Sequence, residues 1–287
     1  MKKVLVLGAT GLIGHQAFKY LQASAKYSMY NFSFRKKLND ESVLLDARDE
    51  LNFLGAIREI RPDYIVNCIG ILIDGAERFP ENAIFLNAYL PHRISQLADS
   101  IDAKLIHMST DCVFSGNKKT PYLENDVKDG SGVYAKTKGL GEIISERHLT
   151  LRTSVVGPEL KKNGEELFNW FMGESGTVNG YSASKWSGVT TLELARAIDS
   201  SIQNEITGLH HVTNNSSISK YDILMLFKKY TKKNINIIQI EGINSDKSFL
   251  DTRGLIGLNI PSYEVMFSEM VSAIQENNNV YTHYSFN

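Results

Sequence analysis

Cysteine is scarce in this 287-residue chain. The two present, Cys68 and Cys112, are too few for a disulfide framework and do not have the spacing of a metal site. They suit a reducing, cytoplasmic setting, and no metal is expected. An excess of one charge is lacking too: 31 Lys and Arg stand against 32 Asp and Glu, with basic residues only in short pairs such as Lys36-Lys37 and Lys228-Lys229. Nucleic acid is therefore not an expected partner. No segment approaches the roughly 18 apolar residues of a membrane span. The apolar start, Met1-Lys-Lys-Val-Leu-Val-Leu, is broken by three glycines with no small-residue cleavage site after it, so neither membrane attachment nor a signal peptide is expected. No internal repeat is visible. With 43% hydrophobic residues the chain can bury a sizeable core, in one large or two unequal domains.

What is there reads as alternating strand and helix. Lys3 to Gly8 is a short apolar run without alternation, the pattern of a parallel strand buried on both faces. Gly8-Ala-Thr10-Gly11-Leu12-Ile13-Gly14 follows and opens a helical pattern through Phe18 and Leu21. Strand, glycine turn and helix is the context of a dinucleotide-binding loop, in which the glycines admit the pyrophosphate and the helix N-terminus favours its charge. The expected strands continue at 31–34, 43–45, 64–68, 104–108 and 149–156, with helices at 49–60, 81–100 and 133–147. The second strand ends at Arg35, where an acidic residue would bind the ribose hydroxyl of NAD. A basic residue there suits the 2′-phosphate of NADP. The third strand closes on Asp46, and the fourth runs into Cys68 and Gly70, at the edge where open parallel sheets bind ligands.

Gly132-Val-Tyr134-Ala-Lys-Thr-Lys138 places a phenol and an ammonium one helical turn apart. A tyrosine with a reference pKa of about 10 exchanges protons near neutrality only with help, and Lys138 stands where it could stabilise the phenolate. A second such pair, Tyr181 with Lys185, lacks the upstream hydroxyl of Ser109-Thr110-Asp111 and a clear helix. Gly139 and Gly141 interrupt the expected helix and suggest close packing against another backbone. Beyond residue 158 the alternation loosens, with helices expected at 192–202 and 220–230, a strand at 236–240, core positions for Trp170 and Trp186, and a frayed tail from Gln275.

Taken together, Gly8-x-x-Gly11-x-x-Gly14, Ser109-Thr-Asp111, Tyr134-x-x-x-Lys138 and Leu151-Arg-Thr-Ser154 resemble the extended short-chain dehydrogenase/reductases. Asn67, Asp74-Gly-Ala-Glu77, Asn87, the run ending at Gly116 and the run ending at Lys138 resemble more narrowly the dTDP-4-dehydrorhamnose reductase branch. The likeness covers residues 1–160 well and the remainder loosely. It implies an α/β fold: a Rossmann-type doubly wound parallel sheet over residues 1–157, and a smaller C-terminal α/β substrate lobe over 158–287 with some segments returning to the sheet. It implies NADP(H) in preference to NAD(H), held by Gly8, Thr10, Gly11, Leu12, Ile13, Gly14, Arg35, Asp46, Cys68, Gly70, Tyr134 and Lys138. The substrate implied is a nucleotide-linked 4-keto-6-deoxy sugar, in a surface polysaccharide pathway. Tyr134 would deliver the proton to the keto oxygen as hydride adds to its carbon, Lys138 would activate it, and Thr110 would hold the oxygen. Helices 81–100 and 133–147 are the expected surface for a homodimer.

Two alternatives stay open. Cys112, two residues after Thr110, resembles the cysteine of epimerase-reductases of the GDP-fucose synthase kind, although no histidine lies between His148 and His210 to serve as their second acid. A non-catalytic NADP-binding regulator would keep the same fold. Dehydration is disfavoured, because Cys112 stands where the dehydratases carry a glutamate.

Overall fold

Buried on both faces, a continuous apolar strand splits its side chains between two cores, and β1 (Lys2–Leu7) does so in the computed structural model. Val4 and Val6 enter one core, Leu5 and Leu7 the other. The structure describes residues 1–254 and 258–286. To β1 are added β2 (Tyr27–Ser33), β3 (Val43–Leu44), β4 (Tyr64–Asn67), β5 (Lys104–Thr110) and β6 (Leu149–Thr153). They pair in parallel in the order 3-2-1-4-5-6, and Gly208–His211 adds a seventh strand beside β6. This is the expected α/β, doubly wound arrangement. Helices α1 (Leu12–Ala23) and Thr191–Gln203 cover one face through Ala17, Phe18, Leu194 and Ile198. Helices α2 (Glu50–Ile60) and Leu90–Ser100 cover the other through Phe53, Ile57, Leu90 and Ile94.

Several elements differ from expectation, each for a physical reason. β2 begins at Tyr27 rather than Asn31, because the Tyr27 hydroxyl donates to Asp199 (2.6 Å) and draws that end of the strand into the core. Residues 81–100 are not one regular helix: Pro80–Ala83 leads into a π-helical turn, Ile84–Tyr89, before Leu90–Ser100. The widened turn carries Asn87, wholly buried, whose amide accepts from Ile71 N (2.8 Å) and donates to Ile71 O (3.0 Å). The helix expected over 133–147 stops at Leu140, since a Cβ at Gly141 would lie 1.9 Å from the Asn87 carbonyl oxygen. Gly141 therefore fulfils the close-packing expectation; Gly139 does not, its nearest such contact being 3.5 Å. The strand expected over 149–156 divides, and Val155–Val156 pairs instead with Val189–Thr190.

Beyond this sheet, helices Leu167–Gly173, Lys220–Thr231 and Tyr263–Glu276 pack Phe168, Phe171, Phe227 and Phe267 into the core that also holds Val4 and Val6. Trp186 is buried as expected, whereas Trp170 is 38% exposed. The tail is not frayed. Tyr281 and Tyr284 are buried. The Tyr281 hydroxyl bonds His15 Nε2 (3.0 Å), and His15 Nδ1 donates to the Gly11 carbonyl (2.8 Å), so the tail braces the helix that follows the glycine turn. Tyr284 accepts from Glu159 N and donates to Asn169 Oδ1, both at 2.9 Å. Asn287 lies outside the described residues. Tyr281→Phe leaves His15 and Gln16 without their buried partner and should cost about 1–3 kcal/mol, read as a lowered urea midpoint at unchanged slope. A frayed tail would give no change.

Candidate active site

At the carboxyl ends of β1 and β4 the chain approaches itself closely. Gly8 has φ +74°, and a Cβ there would lie 3.1 Å from the Cys68 carbonyl; at Gly14 it would lie 2.3 Å from Gly8 O. Gly11 N donates to Gly8 O (2.9 Å), and Gly8 N and Ala9 N both donate to Phe32 O (3.0 Å), which binds the turn to β2. Thr10 sits in that turn. Leu12, Ile13 and Gly14 form the first turn of α1, for which Gly11 offers no side-chain cap. Cys68 and Gly70 follow β4, the Cys68 thiol being pushed up to about 12 by burial against the opposing charge of Lys138. Arg35 is exposed after β2, its guanidinium 5.0 Å from the Phe34 ring centre. Asp46 follows β3 and is engaged by Arg48.

Thr110 ends β5. Its hydroxyl donates to Asp111 Oδ1 and accepts from Cys112 N, both at 3.1 Å. Tyr134 enters from the helix Val133–Leu140, which starts at Gly132 with φ +89° and is anchored by Val133 N donating to Glu77 Oε1 (2.8 Å). The phenol lies within hydrogen-bonding reach of Thr110. Burial, then the nearby Cys112 and Asp111, push the phenol above its ordinary range, so it is protonated at neutrality. Lys138, one turn on, is buried, and its Nζ donates to the Met108 carbonyl (2.6 Å). Lys138 makes no hydrogen bond to Tyr134 among the described residues. Burial pushes Lys138 down to about 8, with Glu142 and Cys68 opposing. The structure brings Thr110 and Tyr134 together and sets Lys138 behind them. The pair Tyr181 and Lys185 lies on two short strands away from this cluster, with Tyr181 40% exposed.

Cys112 is pushed up to about 11 by burial and by Asp111, against the pull of Lys247, whose Nζ lies 3.8 Å from its sulfur. A neutral thiol is a poor base. Among the described residues no three His, Cys, Asp or Glu side chains are placed to hold a metal, and no helix is long and apolar enough to cross a membrane.

Sequence reasoning missed the buried network behind Thr110. Glu142 accepts from Ser109 Oγ (2.6 Å) and takes both ends of a fork from Arg152, Nε to Oε1 and Nη2 to Oε2, each 2.8 Å; Lys128 Nζ stands 3.1 Å away. Burial alone would raise its pKa, but Arg152, Ser109 and Lys128 outweigh it and hold the carboxylate below its usual range. Arg152 Nη1 also donates to His211 Nε2 (2.8 Å), which leaves the imidazole proton on Nδ1 for the Leu250 carbonyl (2.8 Å). Burial and Arg152 push His211 down to about 4. Glu124, accepting from Thr252 N (3.0 Å) and Oγ1 (2.6 Å), completes the link to residues 248–252. Arg152 stood within a noticed motif; nothing local marks Glu142 as its partner.

Because the Glu142 pKa is depressed in the fold, its contribution is present above about pH 4.5 and fades as pH falls through the folded value. Glu142→Gln leaves Arg152 buried without its counter-charge. It should cost about 3–5 kcal/mol at pH 7, with the gap to the native chain narrowing below about pH 4.5. Urea unfolding at pH 7 and pH 4 checks both the size and the sign.

Residues 1–248 match the family described as the RmlD substrate binding domain. The chain is 32% identical to a dTDP-4-dehydrorhamnose reductase of Escherichia coli (strain K12) over 158 residues, 53% of this chain and 51% of that protein. It is also 32% identical to methionine adenosyltransferase 2 subunit beta of Rattus norvegicus over 166 residues, 56% of this chain and 49% of that one. The chain thus spans about half the length of these curated relatives. Its fold is similar to a crystal structure of dTDP-4-dehydrorhamnose reductase from Bacillus anthracis str. Ames in complex with NADP. The TM-score is 0.81 over 95% of this chain and 99% of that one, at 23% identity, a likeness of fold. With its first 248 residues matched, the glycine turn and the Thr110–Tyr134 cluster included, the chain belongs to the RmlD substrate binding domain family.

Proposed function

We propose that this chain is an NADP(H)-dependent oxidoreductase that reduces the keto group of a nucleotide-linked 4-keto-6-deoxy sugar in surface polysaccharide biosynthesis. The observation that carries this reading is the protonated Tyr134 phenol beside the Thr110 hydroxyl, at the same sheet edge as a glycine turn in which a Cβ at Gly8 or Gly14 would fill the space. That cradle suits the main-chain approach a pyrophosphate requires. When bound, the reduced nicotinamide supplies a hydride to the keto carbon. Tyr134 gives its proton to the oxygen that becomes a hydroxyl, and Thr110 holds that oxygen by hydrogen bonding. A phenol with a raised pKa is the neutral donor that reduction consumes. Lys138, near 8 and close behind, is placed to return a proton to the site. The names of the Escherichia coli and Bacillus anthracis proteins support both the sugar class and NADP.

In this reading residues 1–157 carry the cofactor and 158–287 mainly the substrate, within a reducing cytoplasm. Self-association would use the region of residues 81–100 and 133–147, where Ile84, Tyr89, Leu140 and Ile144 are exposed. The elevated Cys112 thiol weighs against epimerase chemistry. A regulatory role draws support from the likeness to methionine adenosyltransferase 2 subunit beta. Against it stands the intact Thr110–Tyr134 pair, which a purely regulatory protein does not need.

NADPH oxidation with dTDP-, UDP- and GDP-linked 4-keto-6-deoxy sugars tests the reading. Turnover should occur with at least one of them and fall by about 10²–10⁴-fold in Tyr134→Phe, while NADPH affinity stays within about twofold. Tight NADPH binding with no turnover of any sugar favours the regulator.

A further inference from the structure

Phe34 is 47% exposed at the end of β2, and a guanidinium lies against it from each of two loops. Arg35 Cζ is 5.0 Å and Arg48 Cζ 5.6 Å from the ring centre. Both loops leave the carboxyl edge that carries the glycine turn: Phe32 O accepts from Gly8 and Ala9, and Ser33 O accepts from Leu45 N (2.9 Å) as β3 ends. Arg48 does not move freely there. Its Nε donates to Asp46 Oδ1 (3.0 Å) and Oδ2 (3.1 Å), its Nη2 to Oδ2 (2.7 Å), and its backbone N to Oδ1 (3.0 Å). The Nη1 edge reaches Asn82 Oδ1 at 3.4 Å, a long bond that a stronger acceptor would displace.

Two consequences follow from the chemistry of these groups. A carboxylate that binds a ribose hydroxyl must offer a lone pair to it, and both Asp46 oxygens already accept from Arg48, through its backbone N, its Nη2 and an Nε–H shared between the two oxygens. A guanidinium locked by its Nε and Nη2 edge, with its face against an aromatic ring, presents Nη1 in a fixed direction, so little side-chain entropy is lost when an anion accepts from it. We propose that Arg48 is a second ligand, with Arg35, for the 2′-phosphate of NADP, and that Asp46 is a positioning residue that holds Arg48 rather than a contact to the ribose. Lys36 adds positive charge beside Arg35, so the patch keeps a net attraction for a dianion after Asp46 has neutralised one arginine. The proposal rests on the reductase reading for its cofactor class. It changes what the acidic residue after β3 is for: Asp46, expected among the residues that hold the cofactor, here organises a neighbouring arginine for the phosphorylated one.

Dissociation constants for NADPH and NADH, read by fluorescence titration of the whole chain, test it without any turnover. Arg48→Ala should weaken NADPH by about tenfold or more, equivalent to about 1.4 kcal/mol, and leave NADH within about twofold. Asp46→Asn should weaken NADPH severalfold in the native background and have no effect in Arg48→Ala, because it acts only through that arginine. Arg48→Ala weakening both cofactors alike would overturn the proposal, as would Asp46→Asn weakening NADH or acting equally in the Arg48→Ala background. A native chain that binds both dinucleotides with equal affinity overturns this proposal alone. One that binds neither overturns the reductase reading and this proposal with it.

Discussion

The Glu142 side chain is buried, so its charge must be met inside the protein, and the groups that meet it come from every part that builds the site. Ser109 brings the end of β5, Arg152 brings β6, and Lys128 brings the loop before the helix that carries Tyr134. Arg152 carries the same constraint outward through His211 to the Leu250 carbonyl. A buried ion pair of this kind is a weak source of net stability but tolerates little displacement, since each charge left alone is expensive. Its effect here is geometric. It fixes the strand that ends in Thr110 against the helix that carries Tyr134 and Lys138.

Asn87 performs the matching task on the other side of that helix. Its amide satisfies both main-chain groups of Ile71 and reaches Thr137 (3.3 Å), and its own carbonyl lies so near Gly141 that no side chain fits there. The π-helical turn that presents Asn87 and the early end of the helix that carries Tyr134 are therefore two sides of one contact. The helix ends where it does because of its neighbour rather than its own sequence. Only after that end can Glu142 turn inward.

The electrostatics of the site follow from burial more than from local pairing. Tyr134 is driven toward its neutral form by desolvation, Lys138 down toward neutrality by the same cause, and Cys112 up to about 11. In that state Tyr134 holds a proton, Lys138 has one within reach of exchange near pH 8, and Cys112 keeps its own. These are the states a ketone reduction uses. Lys138 itself is held by the Met108 carbonyl.

The sequence by itself determined the strand–glycine–helix opening, the parallel alternation and the residue types at the carboxyl edge, because these follow from short-range periodicity and from backbone conformations that only glycine tolerates. It singled out Thr110, Tyr134, Lys138 and Arg35 by residue type, spacing and the family resemblance they carry. Tertiary structure alone decided which distant polar groups meet: Glu142 with Arg152, Lys247 with Cys112, and the tail tyrosine with His15. Long-range partners leave no mark in local periodicity, since either residue of such a pair, read alone, is an ordinary polar position; the fold makes them partners by removing the water that would otherwise solvate each one.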